Sequence, residues 1–113
     1  MDDIKRPAPK LTPTQASKAF VAIVGAMEKS LGYEPGELTG PGAPDGKVVV
    51  HEQGGGQWPD GPVLCRNWED RDGWAIVWEG GDYDWPHLMW PAAQAAGVFA
   101  EPYNGFALSL YPA

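Results

Sequence analysis

Five of the six tryptophans fall between Val63 and Trp90 (VLCRNWEDRDGWAIVWEGGDYDWPHLMW), and the spacing inside this stretch limits what the chain can become. Trp74, Ile76 and Trp78 alternate as on one face of a β-strand, and Val63–Trp68 reads as a second arm. Between them Glu69-Asp70-Arg71-Asp72-Gly73 is polar and ends in Asp-Gly, a good hairpin connection. Two indoles on one side of a ribbon call for an apolar cover. The N-terminal third supplies it.

Thr12-Pro13-Thr14-Gln15 carries the start signals of a helix: Thr12 as N-cap, Pro13 in the first helical position, and Gln15 completing a capping box. Ala16, Ala19, Phe20, Ile23, Val24, Met27 and Leu31 then follow a helical period, and Gly32 provides a left-handed stop. The spacing therefore predicts a helix over 12–32, laying Phe20, Ile23 and Met27 on Trp74, Ile76 and Trp78. The opposite face is apolar too, with Val21, Ala22 and Gly25 along its middle. Two covers fit that face. One is the N-terminal tail or the C-terminal segment; the other is a second copy, in a homodimer through Val21, Ala22 and Gly25.

The remaining elements follow in order. Residues 1–11 are charged, proline-containing and aperiodic, and read as an extended tail. Residues 33–46 and 53–62 are rich in Gly and Pro and read as loops. Lys47–Glu52 reads as a strand between them, with Val48 and Val50 on one side. After Gly80-Gly81, Asp84 is placed to cap one turn through His87-Leu88-Met89. Pro91 then restarts or breaks the helix, and Pro91–Ala96 forms a short one closed by Gly97. Val98–Glu101 reads as a short extended piece, and Phe106–Tyr111 as a last strand. At 113 residues the chain is expected to be one domain, with the sheet region spanning 47–111. The fold expected is α+β: a long N-terminal helix on an antiparallel sheet of three to five strands, with a short helix before the last strand.

Composition bounds the function. A formal net charge of −7, with no basic stripe, argues against a nucleic-acid backbone or an anionic membrane as partner. The chain opens acidic and no apolar signal segment follows, and the lone Cys65 can form no internal bridge. The expected setting is cytoplasmic.

Catalytic and metal patterns fail one by one. Gly54-Gly55-Gly56 lacks the Lys-Ser/Thr that a phosphate loop needs. Asp82 and Asp84 lack calcium-loop spacing, and His51 and His87 lack the spacing of a zinc motif, so no metal and no cofactor are expected. Cys65 and His51 would make a nucleophile and base only if their strands are neighbours, with Glu79 as a candidate acid beside Trp78. Trp58, Tyr83, Trp85 and Trp90 fall on loops or element ends, where aromatic residues are less obliged to be core. With Asp84 they form the candidate binding group.

Val77-Trp78-Glu79-Gly80-Gly81-Asp82-Tyr83-Asp84-Trp85, together with the ending Glu101-Pro102-Tyr103-Asn104-Gly105-Phe106-Ala107-Leu108-Ser109-Leu110-Tyr111-Pro112, resembles small uncharacterised proteins of actinobacteria and their phages. The similarity covers the last third of the chain. It implies a phage accessory protein acting in the host cytoplasm, and it carries no residue role.

The sequence thus specifies an architecture more fully than a chemistry. The leading reading is a non-catalytic protein-interaction module that binds a host or self partner through the loop aromatics. An acidic surround would speed its association with a basic partner. A binder of a sugar or nucleotide base would use the same aromatics around a pocket. A small hydrolase would use His51, Cys65 and Glu79.

Overall fold

A computed structural model describes residues 10–52, 62–68, 73–78, 85–104 and 107–112. The chain is α+β, with a five-stranded mixed sheet carrying two helices on one face.

Helix α1 spans Pro13–Leu31, and its ends are closed by the residues expected. Thr12 Oγ1 accepts from the Gln15 N–H at 3.1 Å, and Gln15 Oε1 accepts from the Thr12 N–H at 2.9 Å. At the other end Gly32 adopts φ 81°, and the Tyr33 N–H returns to the Glu28 carbonyl at 2.8 Å. A side chain at Gly32 would strain this left-handed cap.

The strands are β1 (Val50–Glu52), β2 (Val63–Arg66), β3 (Trp74–Val77), β4 (Val98–Asn104) and β5 (Ala107–Pro112). Their order across the sheet is β1-β2-β3-β5-β4. The expected hairpin is present: β2 and β3 pair antiparallel, with Leu64 opposite Ile76 and Arg66 opposite Trp74. One pair departs from the all-antiparallel expectation, because β1 runs parallel to β2. Alternation places side chains on faces but is the same in either direction, so it carries no strand polarity.

Helix α2 runs unbroken from Trp85 to Ala95 with Pro91 inside it, where a break or restart was expected. Proline removes one helical hydrogen bond. The helix continues across it because Met89 and Ala93 are fully buried and belong to the same core as α1. After Gly97 (φ 77°) the chain forms a β4–β5 hairpin, so the helix precedes the last two strands and not only the last. Pro102 sits in β4, an edge strand, where proline blunts a free edge.

The main core lies between the helices and the sheet. Phe20, Ile23 and Met27 of α1 join Trp74, Ile76 and Trp78, all nearly or wholly buried. The expected contact between helix and tryptophan ribbon is therefore present. Leu64, Leu108 and Leu110 extend it across the neighbouring strands. The second face of the sheet buries Val63, Cys65, Ala75, Val77 and Ala107. No helix among the described residues is long and apolar enough to cross a membrane.

Candidate functional site

Of the candidate binding group, Trp58, Tyr83 and Asp84 lie outside the described residues, as does Glu79. Trp85 begins α2. Trp90, on the same helix, is 48% exposed, while Met89 beside it is fully buried. An indole is thus held in solvent by a helix whose other side is fixed in the core.

A second exposed aromatic was not singled out in the sequence. Phe99 on β4 is 51% exposed and lies opposite Tyr111 of β5, with ring centroids 6.2 Å apart and planes inclined at 39°. Alternation explains the position: Val98 and Ala100 face the helices and are buried, so Phe99 faces the other way. The same alternation was available in the sequence once Val98–Glu101 was read as extended.

His51 and Cys65 do fall together. They are register partners on β1 and β2, and register partners share a face. The pair is nevertheless poorly suited to nucleophilic chemistry. Burial, and secondarily the charge of Glu52, pushes the Cys65 thiol up to about 11. Its Sγ donates to the Arg66 carbonyl at 3.5 Å. At neutral pH it is a protonated, fully buried thiol, and the thiolate is the reactive form. Glu52 is itself engaged, accepting from Arg66 Nε at 3.0 Å and Asn67 Nδ2 at 3.2 Å. Among the described residues no three of His, Cys, Asp and Glu converge on a point where a metal could sit.

The outer face of α1 is only partly covered: Val21 and Gly25 are half-buried and Ala22 is exposed, and residues 1–9 of the expected tail lie outside the described residues. The connector 33–48 lies along one flank, with Leu38 and Val48 packed against the core beside Val21. On the other flank Ala19 and Ala22 adjoin Ala96, Val98 and Pro112. The connector and the C-terminal segment thus border the two flanks, and the helix stripe between them stays open.

Glu28 is what holds that connector. This carboxylate is almost wholly buried, and it accepts from the backbone N–H groups of Gly36 (3.2 Å), Leu38 (2.7 Å) and Thr39 (2.8 Å) and from Thr39 Oγ1 (3.0 Å). Burial alone would raise its pKa, yet the four hydrogen bonds to the charged form outweigh burial and leave it lowered. The sequence held one hint of this clasp. A lone acid in the last turn of a helix opposes the helix dipole, so it needs another reason to be there.

No known protein family matches the chain, and neither curated proteins nor solved structures give a significant match.

Proposed function

We propose that the protein is a non-catalytic interaction module that contacts a protein partner through aromatic side chains displayed on a rigid frame. The observation that carries this reading is Trp90: a large indole, half exposed, on a helix anchored through Met89 and Ala93. Exposed Trp and Tyr on fixed backbone are the residues that most often dominate binding, because they bury a large area while freezing few rotors. Trp58, Tyr83, Asp84 and Trp85, singled out in the sequence, are the other residues of this reading. The acidic balance favours a basic partner. The resemblance in the last third of the chain suggests a phage accessory protein in a host cytoplasm as the setting.

The test is affinity capture with wild type and Trp90→Ala, read as recovery of each bound protein. A partner retained by wild type and lost from Trp90→Ala is expected, with both chains melting at the same temperature. Equal recovery of every bound protein would remove Trp90 from the interface. A hydrolase reading has less support, given the protonated and buried thiol of Cys65.

A further inference from the structure

One stripe of α1 and the facing wall of the connector bound a trough in two stretches that meet at Val21, of about 610 Å³ and about 470 Å³. Its floor is apolar and small, with Val21, Ala22 and Gly25 from the helix and Val48 from the connector. Gly25 leaves it open: a Cβ built there meets no atom within 4 Å.

The charges of the trough are one-sided. Three charged residues line it: Lys18, Lys29 and Glu28. The Glu28 carboxylate is consumed by Gly36, Leu38 and Thr39. Lys18 and Lys29 are exposed, and among the described residues neither has an ion pair or hydrogen-bond partner for its ammonium. Eleven residues of helix bring Lys29 back to within about 20° of Lys18 and about 16 Å further along the axis. Glu34, Glu37 and Asp45 belong to the same connector but do not line the trough. A chain of net charge −7 therefore carries a groove whose unspent charges are both positive.

We propose that this trough seats an extended, acidic segment of a protein partner. Lys18 and Lys29 would pair with carboxylates spaced about five residues apart in an extended chain, while Val21, Ala22 and Val48 cover its apolar side chains. The surface is separate from the one around Trp90. The same charges argue against a second copy here. Two α1 helices crossing antiparallel midway between Ala22 and Gly25 would set Lys18 of each against Lys29 of the other. Two lysines in a strongly acidic chain are also too few for a nucleic-acid backbone, which needs a dense basic stripe.

Fluorescence anisotropy with a labelled Glu/Leu peptide that sets two Glu about five residues apart tests this, with its Lys/Leu counterpart and single-stranded oligothymidine as rivals. Saturable binding of the Glu/Leu peptide alone is expected, weakening as salt is raised. The double variant Lys18→Glu, Lys29→Glu is expected to bind about tenfold more weakly or worse. Lys29→Glu sets an acid in the last turn of α1, so the thermal midpoint is expected to fall by about 4–8 °C at most, and binding is measured well below it. Gly25→Leu, whose Cβ meets no atom within 4 Å, is expected to fill the floor and block binding independently. The proposal is overturned if wild type fails to bind the Glu/Leu peptide, binds the Lys/Leu peptide or oligothymidine equally, or is unaffected by the charge reversal. It is overturned as well if sedimentation shows a dimer that Gly25→Leu dissociates, which would give the trough to a second copy.

Discussion

The indole N–H of Trp74 donates to the backbone carbonyl of Leu11 at 3.0 Å, across 63 residues of sequence. Leu11 immediately precedes the Thr12 cap and is itself buried with Ala16 in the main core. The start of α1 is thus fixed from inside by its capping box and from outside by the sheet. Replacing Trp74 with Phe keeps most of the buried area but strands the Leu11 carbonyl. A loss of about 1–2 kcal/mol is expected in urea unfolding, against about 3–5 kcal/mol for Trp74→Ala, which also opens a cavity. Equal losses from the two variants would mean that the hydrogen bond, not the packing, carries the contact.

Glu28 gives the chain a pH dependence of known sign. Its folded-state pKa lies below the ordinary glutamate value, so its contribution is fully present above that value. It is lost as the pH falls through the lowered folded value. Thermal midpoints measured from neutral pH down to acid are expected to fall more steeply for wild type than for Glu28→Gln. At neutral pH the variant is expected to be less stable by about 2 kcal/mol.

Gly25→Ala is expected to raise stability by roughly 0.5–1 kcal/mol. Alanine restricts the unfolded chain and suits a helix, and nothing stands where its methyl group would go. A drop in the thermal midpoint would show that this part of the trough is filled.

Cys65 is expected to resist thiol reagents while the protein is folded. A thiol pushed up to about 11 holds on the order of a hundredfold less thiolate near neutral pH than an ordinary one, and burial blocks access as well. Labelling by a disulfide reagent is expected to be slow in buffer and fast in denaturant. Fast labelling in buffer would restore the His51–Cys65 pair as a chemical candidate.

Much of this architecture follows from local signals. Thr12, Pro13, Gln15 and Gly32 define α1 because capping is satisfied within a few residues, and Phe20, Ile23 and Met27 share a face because the helix repeat is fixed. Trp74, Ile76 and Trp78 meet them because alternation leaves those side chains one side to occupy. What depends on distant contacts could not be read locally. The parallel pairing of β1 with β2 turns on strand direction, to which alternation is indifferent. The passage of α2 through Pro91 turns on the burial of Met89 and Ala93, which offsets one missing hydrogen bond. The ordering of the Gly/Pro connector turns on a single carboxylate, Glu28, whose partners lie eight to eleven residues further on. Sequence alone therefore determined α1 and the β2–β3 ribbon and which of their faces are apolar, since both are set by backbone geometry over a few residues. It read β1 too long, as Lys47–Glu52 against Val50–Glu52, and β4 too short. Tertiary structure decided strand polarity, the continuity of α2 and the trough beside α1, because each is settled by burial and hydrogen bonds between segments that local periodicity does not relate.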